Sequence, residues 1–380
     1  MGNVFSADFL VIGAGIAGAS AAASLSELGR VAVLETEQHA GYHSTGRSAA
    51  VFSEIYGNQV IRGLTRASRD FMFEPPSAFA SSPLASPRGA VYFARPDQLD
   101  ALQQFRTAPE VLAATTELSA AQVLERLPLF GDGYLAGGVL EHGCADLDVD
   151  AIHQGFLRSI KARKSEIHFE CQVHALVREG ELWVATTSKG VFQAPIVVNA
   201  AGAWADELAA LAGIARVGLA PKRRTALLIP TPRDLAAASW PAAIDISEEF
   251  YFKPDAGLLL LSPADEHPSP PCDVQPEELD IAIAIDRFER ATSAEVRQVR
   301  RSWAGLRVFS PDRSPVVGFD PAVDGFFWLV GQGGYGIQTS PALGRVAAAL
   351  ATGQPLPADV ANQGVTAAML SKTRFTAPAQ

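Results

Sequence analysis

The stretch FLVIGAGIAGASAAASLSELGRVAVLE, residues 9–35, decides the fold. It begins and ends with short apolar runs, FLVI and VAVL, which are typical of strands buried on both faces of a parallel sheet. Between them, GAGIAG opens a segment rich in Ala and Leu that indicates a helix ending before Gly29. This order of strand, glycine-rich turn, helix and strand predicts a Rossmann-like unit that binds an adenine dinucleotide.

Each glycine of the motif has a separate task. Gly13 permits the tight turn, Gly15 lets the backbone approach a pyrophosphate, and Gly18 lets the helix pack closely on the strand. Glu35 lies 20 residues after Gly15, where a carboxylate can bind both ribose hydroxyls. An acid at this position disfavours the 2′-phosphate of NADP, which leaves NAD or FAD.

The following segments favour FAD. The loop GYHSTGRSAA at residues 41–50 consists of small residues with one arginine, which suits the covering of a pyrophosphate and a flavin edge. A simple NAD domain would continue with another helix and strand, whereas here buried-strand patterns resume only at IVVNAAGAW and FFWLV. We predict an α/β fold with a Rossmann-like FAD-binding domain in discontinuous segments (1–75, 140–215 and 305–380) and an antiparallel-sheet, α+β substrate-binding domain (76–139 and 216–304).

Composition excludes several classes of protein. The 380 residues are 48% hydrophobic and 19% charged, so the chain can bury a large core and is not disordered. A net charge of −10 argues against nucleic acid as a partner. Three cysteines without a CxxC pair argue against a disulfide scaffold or a cysteine zinc site, and we predict no metal. Residues 9–26 are uncharged but rich in Gly and Ser and lack a basic start, so we predict neither a signal peptide nor an integral membrane segment.

The periodicity of the remaining chain gives a coarse map of its elements. Helices are predicted at 97–105, 108–117, 119–126 (with Ser119 as N-cap), 148–164 (capped by Asp148 or Asp150), 291–302 and 338–351. Strands are predicted at 167–177, 182–187, 191–193, 196–199 and 326–330, with further strands over 218–284.

Eight ordered motifs together resemble the D-amino-acid oxidase superfamily of FAD-dependent amine oxidoreductases. They are VIGAGIAGAS (11–20), GYHSTGRSAA (41–50), DAIHQG (150–155), VNAAGAW (198–204), PKRR (221–224), FYFKPDAG (250–257), SWAGLR (302–307) and GQGGYGIQTS (331–340). Within that superfamily they are similar to those of the bacterial D-arginine dehydrogenases. The resemblance implies non-covalent FAD, with hydride transfer from substrate Cα to flavin N5. The resulting imino acid hydrolyses to a 2-oxo acid and ammonia, and a quinone or O2 reoxidises the flavin.

The resemblance also implies which residues contact the cofactor. They are Gly13, Gly15, Ile16, Ala17, Gly18, Glu35, Thr36, His43, Ser44, Thr45, Arg47, Ser48, Ala49, Val173, Ala201, Gly202, Trp204, Gly305, Gly333, Gly334, Tyr335, Gly336, Ile337 and Gln338.

A second implied set binds the substrate. Arg307 matches the family's carboxylate-binding arginine, whose guanidinium can fork onto both oxygens. Arg224 matches a second arginine on the substrate side, and Tyr251 a tyrosine that donates its hydroxyl to the carboxylate. Tyr56 matches a tyrosine on a mobile loop over the site, and the carbonyl of Gly334 would accept the substrate amine.

Gln338 is expected to contact the flavin or the substrate rather than to catalyse. Strand alternation should place Arg223 on the face opposite Lys222 and Arg224. No side chain is predicted as a general base, since solvent can take the proton of the substrate amine.

Two departures from the D-arginine dehydrogenase pattern bear on the substrate side chain. Val51 and Phe52 stand where that group has a histidine, and Gly89 and Ala90 follow a Ser-Pro-Arg segment where it has the glutamate that holds the guanidinium. A buried guanidinium without a carboxylate would be costly. We therefore predict a pocket formed by Val51, Phe52 and Ala90 for neutral, hydrophobic D-amino acids, unless Glu54 turns inward and replaces the missing acid.

Three alternatives stay open at this point. The first is an oxidase of glycine, sarcosine or another secondary amine that uses O2. The second is a flavoprotein that binds a carboxylate ligand or a partner without turnover, and the third is an NAD-dependent dehydrogenase. A cytoplasmic location is expected, with peripheral membrane association left open.

Overall fold

A computed structural model describes residues 4–232 and 235–375. The predicted domain ranges also include residues 1–3, 233–234 and 376–380, which lie outside this description. The described chain forms one mostly parallel sheet, one large mixed sheet and two smaller sheets. This arrangement confirms the predicted α/β fold class with an additional, largely antiparallel sheet.

The mostly parallel sheet contains the dinucleotide-binding motif. Its strands, in spatial order, are Glu166–His168, Val31–Leu34, Phe9–Ile12, Ile196–Asn199, Phe326–Val330 and Val316–Phe319. All pairs are parallel except the last, which is an antiparallel edge. Every residue of Phe9–Ile12 is buried, because both faces of this sheet are covered.

One face of this sheet is covered by helices that pack through small residues. The helix after the glycine motif, Ile16–Leu25, lies against Val149–Ala162 and Gly336–Ala351. A Cβ on Gly344 would lie 2.6 Å from the carbonyl oxygen of Ser20, so the two helix backbones approach closely only because glycine is present. The opposite face packs on the helix Ala205–Leu211 and on a four-stranded sheet.

The large sheet presents one face to a hydrophobic core and the other to a cavity. Its strands, in order, are Gln332–Gly333, Arg301–Phe309, Ala220–Pro230, Leu258–Ser262, Tyr251–Asp255, Ala242–Asp245, Ala90–Ala94, Gly137–Glu141 and Thr115–Ser119, with His267–Pro268 paired to Ala220–Pro230. Only the pair of Ala242–Asp245 with Ala90–Ala94 is parallel. The core face packs on the helix Glu278–Ala291.

The remaining elements connect these layers. The two smaller sheets are Val4–Ser6, Gly190–Ala194, Leu182–Thr187 and Val173–Glu179, and Val51–Phe52, Ala145–Leu147 and Ala85–Pro87. Other α-helices are Gln59–Arg66, Arg69–Phe73, Leu99–Phe105, Pro109–Ala114, Ala120–Arg126, Ala358–Ala361 and Ala367–Leu370, and 3-10 helices are Pro96–Gln98, Gly202–Trp204, Ala237–Ser239 and Lys372–Phe375. Within the described ranges, no helix combines the length and the apolar character needed to cross a membrane.

Two predicted helix caps are confirmed and one predicted helix is wrong in part. The Ser119 hydroxyl accepts a hydrogen bond from the N–H of Gln122, and the Asp148 carboxylate accepts one from Ala151. The helix predicted at 108–117 ends at Ala114, because the following residues form a strand paired with Gly137–Glu141.

Three other predictions fail for physical reasons. The segment 278–291 has alternating Ile and Ala residues that suggest a strand, but it is a helix, and the predicted helix at 291–302 leads instead into the strand Arg301–Phe309. Ala284, Phe288 and Ala291 are buried at helical spacing against the large sheet, so tertiary packing decides the conformation. The predicted strand at 167–177 is split between two different sheets.

Candidate active site

A single cavity of about 560 Å³ joins the dinucleotide-binding motif to the large sheet. It lies at the carboxyl ends of the strands Phe9–Ile12 and Val31–Leu34, where ligands bind in open parallel sheets. The other side of the cavity is formed by the strand Arg301–Phe309 and by Arg224 and Tyr251. The cavity therefore brings the predicted cofactor and substrate residues into one space.

The glycine loop has the geometry of a phosphate cradle. Gly13 has a φ of 104°, and a Cβ there would lie 2.5 Å from the carbonyl oxygen of Ala200. Gly15 precedes the first helical residue and has no side chain with which to cap the helix, and the N–H of Ile16 donates to the Thr45 hydroxyl at 3.0 Å. A Cβ on Gly18 would lie 1.9 Å from the carbonyl oxygen of Gly13, so this glycine serves packing and does not line the cavity. The helix N-terminus thus faces open space suited to an anion.

Two side chains fix the loop beside this space. The Glu35 carboxylate lines the cavity and accepts hydrogen bonds from the N–H groups of Ala14 at 2.7 Å and Glu37 at 2.9 Å. On the other side, buried His153 donates from Nε2 to the carbonyl oxygen of Ala14 at 2.8 Å. Burial lowers the pKa of His153, which favours the neutral ring, and the tautomer with hydrogen on Nε2 makes this bond. Sequence analysis quoted the DAIHQG motif but assigned His153 no role.

The small-residue loop at 41–49 is held against the large sheet. The Ser44 hydroxyl donates to the carbonyl of Leu306 at 2.6 Å, and the indole N–H of Trp303 donates to the carbonyl of Arg47 at 2.9 Å. The Arg47 guanidinium donates to the carbonyl of Val274 at 2.9 Å and forms an ion pair with Asp273. Arg47 also lines the cavity, so these contacts hold this arginine in place beside the cofactor space.

Replacing Asp273 with alanine is expected to weaken FAD binding about two- to tenfold, because the Arg47 guanidinium is then held less firmly in position. A partly exposed ion pair contributes about 1 kcal/mol. Titrating FAD with apoprotein and following flavin fluorescence measures the dissociation constant. Asp286→Ala is the matched control, since it removes the partner of Arg290 on the exposed face of the helix Glu278–Ala291. An equal dissociation constant in both variants would contradict this role of Asp273.

The substrate end of the cavity contains an arginine without an acidic partner. Arg307 lines the cavity, and its guanidinium donates to the Tyr56 hydroxyl at 3.4 Å. A Cβ on Gly334 would lie 2.8 Å from the guanidinium carbon, so only glycine lets the arginine lie against this turn. Among the described residues, no carboxylate oxygen lies within 4 Å of Arg307. The site therefore has an unpaired cation suited to an anionic ligand.

Arg224 and Tyr251 lie beside Arg307 at this end. Arg224 donates from Nε to the carbonyl of Asp265 at 2.8 Å and approaches Glu266 at 3.4 Å. Burial alone would raise the pKa of Tyr251, but the cations Arg307 and Arg224 outweigh it and lower that pKa. The hydroxyl is thus a better hydrogen-bond donor toward an anion in the cavity.

Alternation along the strand Ala220–Pro230 separates its three basic residues as predicted. Lys222 and Arg224 share the carboxylate of Glu266 on the cavity side. Burial would raise the pKa of Glu266, but Lys222 and Arg313 lower it to about 2. Arg223 points to the opposite face, where it pairs with Asp280 of the helix Glu278–Ala291 at 3.0 Å.

Most of the residues predicted to contact the cofactor line the cavity. These are Gly13, Gly15, Ile16, Ala17, Glu35, Thr36, His43, Ser44, Thr45, Arg47, Ser48, Ala49, Val173, Ala201, Gly202, Trp204, Gly305, Gly333, Gly334, Gly336 and Ile337. Sequence analysis missed Glu37, Tyr42, Gln172, Glu207, Leu208, Leu211 and Gln332, which also line it. Their roles in binding stay predictions.

Gln338 and Tyr335 are placed away from the cavity. The Gln338 side chain is 3% exposed and is occupied by the N–H of Ser53 at 3.1 Å and the hydroxyl of Thr65 at 2.8 Å. This placement does not support the predicted contact of Gln338 with flavin or substrate, which stays a prediction. Tyr335 is buried and packs its ring on Tyr56 at 4.9 Å.

The three residues predicted to form the side-chain pocket also lie outside the cavity. Phe52 is fully buried against Phe73, with ring centroids 5.4 Å apart, and Val51 pairs with Asp146 in a short strand. Ala90 is buried within the large sheet. None of Val51, Phe52 and Ala90 lines the cavity. Glu54 does not replace the missing acid, because it forms an ion pair with Arg69 at 3.4 Å.

Comparisons with known proteins agree with this geometry. The model of the FAD dependent oxidoreductase (DAO) family matches residues 8–350. The chain is 26% identical to an uncharacterized oxidoreductase, YurR, of Bacillus subtilis, over 93% of this chain and 96% of that protein. It is 25% identical to a glycine oxidase of Pseudomonas aeruginosa, over 91% and 94%. The crystal structure of glycine oxidase from Geobacillus kaustophilus superposes with a TM-score of 0.81 at 20% identity, covering 92% of this chain and 95% of that chain.

Proposed function

The chain belongs to the DAO family of FAD-dependent oxidoreductases, and from this membership we propose that it deaminates D-amino acids oxidatively to 2-oxo acids and ammonia. The observation that carries the proposal is the unpaired guanidinium of Arg307 in the same cavity as the glycine cradle. A carboxylate is the ligand that such a partly buried, forked cation binds best. Similarity to D-arginine dehydrogenases in particular stays a prediction.

The cavity residues fit FAD. The space above Gly15, at the helix N-terminus, suits the pyrophosphate. The fixed carboxylate of Glu35 suits the ribose. Arg47 would bind phosphate oxygens, and Gly334 and Gly336 leave room on the flavin side. When bound, FAD supplies the acceptor for the hydride that leaves the substrate Cα.

The protein's own contribution is to hold and orient the substrate. Arg307 and Arg224 would bind the carboxylate while the Tyr251 hydroxyl donates to one of its oxygens. The carbonyl of Gly334 would accept a hydrogen bond from the amine and so fix the rotation about the Cα–carboxyl bond. The amine loses its proton to solvent, since no histidine or carboxylate among the described cavity residues adjoins this end. Water then hydrolyses the imino acid.

We propose neutral, apolar side chains as the preferred ones, on grounds that differ from the sequence prediction. In the large sheet Tyr251 pairs with Ile244, and Ile244 pairs with Tyr92, so the three side chains share the sheet face on which Tyr251 lines the cavity. The partly exposed Ile244 is apolar, and Glu54 is held by Arg69. A basic substrate side chain would therefore find no free carboxylate from Glu54.

A second candidate is an oxidase of glycine or a secondary amine that uses O2. The similarity to the Pseudomonas aeruginosa glycine oxidase favours it. Both candidates use the same carboxylate site, and they differ in the amine accepted and in whether a quinone or O2 takes the electrons.

Anaerobic mixing of the purified holoenzyme with amines distinguishes these candidates. We expect D-Leu, D-Met and D-Phe to bleach the visible flavin band rapidly, and their L-enantiomers and D-Arg to leave it unchanged, because the carboxylate site fixes the face of Cα that is presented. Bleaching only by glycine, sarcosine or D-proline would select the second candidate. If no amine bleaches the flavin, the protein is a binding protein without turnover. For an amine that does bleach the flavin, the yield of hydrogen peroxide in air shows whether O2 accepts the electrons.

A further inference from the structure

A buried carboxyl group, Glu141, lies behind the cavity without a cationic partner. Its side chain is 1% exposed, and no Lys, Arg or His nitrogen of the described chain lies within 4 Å. It accepts hydrogen bonds from the Ser53 hydroxyl at 2.9 and 3.0 Å and from the N–H of Glu54 at 3.1 Å. The Tyr92 hydroxyl approaches it at 3.4 Å. Burial raises the pKa of Glu141 to about 7.

The turn that Glu141 binds is held from a second side. The N–H of Ser53 donates to the Gln338 amide oxygen at 3.1 Å, and the Gln338 amide nitrogen donates to Thr65 at 2.8 Å. Glu141 belongs to the large sheet and Gln338 to the last long helix. The Ser53–Glu54 turn is therefore clamped between the two layers that form the cavity.

The clamped turn leads directly to the substrate end of the cavity. Two residues after Glu54, the ring of Tyr56 packs edge-on against Tyr335 at 4.9 Å. The Tyr56 hydroxyl accepts a hydrogen bond from Arg307 at 3.4 Å. Within the described ranges, this hydroxyl is the only hydrogen-bond partner of the Arg307 guanidinium, so its position bears on where that guanidinium lies.

We propose that Glu141 is a positioning residue, which binds the Ser53–Glu54 turn and thereby holds the Tyr56 hydroxyl against the guanidinium of Arg307. The inference rests on the proposed function in that Arg307 is taken to bind the substrate carboxylate. An apolar residue at position 141 would leave the Ser53 hydroxyl and the Glu54 N–H buried without an acceptor. The turn would then shift toward water. A displacement of even 1 Å at a binding site has a large effect on how well the ligand is held.

Binding of 3-methylbutanoate to the oxidised holoenzyme, measured by isothermal titration calorimetry, tests this inference without turnover. We expect Glu141→Leu to weaken binding about tenfold and Glu141→Gln, which keeps an acceptor oxygen, by less than about threefold. Ser53→Ala, which removes the hydroxyl that donates to both oxygens of Glu141, should weaken binding about two- to fivefold. In the steady state, KM should rise more than kcat falls.

The decisive comparison uses Tyr56→Phe. If Glu141 acts through the Tyr56 hydroxyl, Glu141→Leu should weaken binding less than about twofold further in the Tyr56→Phe background. Full additivity would overturn the proposal. Asp245→Asn, at a fully buried carboxylate that binds Gln98 away from the cavity, is the structural control and should leave binding unchanged. An equal loss in this control would also overturn the proposal.

These outcomes separate the inference from the proposed function. If no amino acid is oxidised but the variants still follow this pattern, the function is wrong and the role of Glu141 stands. If D-amino acids are oxidised and Glu141→Leu and Ser53→Ala both bind the carboxylate like the wild type, the function stands and the role of Glu141 is wrong. A wild-type protein that binds no carboxylate would overturn both.

Discussion

Arg307→Met is expected to lower kcat/KM for the preferred amino acid by roughly thirtyfold to several thousandfold, the equivalent of about 2 to 5 kcal/mol for loss of one partner of a buried, hydrogen-bonded ion pair. The guanidinium has no acidic partner among the described residues, so the substrate carboxylate would supply its only counter-charge. Methionine keeps most of the side-chain volume and removes the charge. The folded protein should retain FAD, because Arg307 lies at the substrate end.

Two further variants make this prediction specific. Arg301→Met removes an arginine from the same strand, where its guanidinium stacks on Trp303 at 5.7 Å outside the cavity, and should change kcat/KM less than twofold. Arg307→Lys keeps the charge but not the fork and should recover only part of the loss. Steady-state kinetics give kcat/KM for each variant, and stopped-flow measurements give the rate of flavin reduction. Equal values for Arg307→Met and Arg301→Met would exclude Arg307 as the carboxylate ligand.

Gly15→Val is expected to abolish measurable FAD binding, with an affinity loss of roughly a hundredfold or more, while the apoprotein remains folded. Gly15 has an ordinary φ of −68°. The nearest atom to a Cβ there, outside its own neighbours in the chain, is the Thr45 hydroxyl oxygen at 3.4 Å. The side chain therefore fits the empty protein but would occupy the space into which the pyrophosphate must come.

Purification of a colourless Gly15→Val protein, with a thermal unfolding midpoint near that of wild-type apoprotein, is the expected result. Gly131→Val is the matched control, since its Cβ would be 3.8 Å from the carbonyl of Ala291 and far from the glycine cradle. That variant should be yellow. A yellow Gly15→Val protein with unchanged FAD affinity would contradict the assignment of the cradle.

The cofactor end of the cavity could be predicted from sequence because local rules determine it. The residues Gly13 to Gly18 form one turn whose conformation depends on the absence of Cβ atoms, and that absence is visible in the sequence. His153 was missed because its contact with Ala14 joins residues 139 positions apart. No local pattern distinguishes such a buried histidine from an exposed one.

The side-chain region of the substrate site could not be predicted in the same way. Alignment of motifs placed Val51, Phe52 and Ala90 near the substrate, whereas Phe52 and Ala90 are buried in hydrophobic cores and Val51 packs against one of them. Whether a strand residue faces a cavity depends on its register with partners distant in sequence. The same limit explains why strands were predicted as far as residue 284, into the helix Glu278–Ala291. The alternating Ile and Ala residues at 281–285 fit both periods, and packing on the large sheet selected the helix.

The order of strands in the mostly parallel sheet has a consequence for biosynthesis. Phe9–Ile12, at its centre, pairs with Ile196–Asn199, which in turn pairs with Phe326–Val330. At about 5 to 20 residues per second, the ribosome releases the last of these strands roughly fifteen seconds to a minute after the first. Until then the nascent chain exposes an unpaired, apolar strand edge, which is a template for aggregation. Chaperone protection during translation therefore matters more for this protein than for one whose adjacent strands are neighbours in sequence.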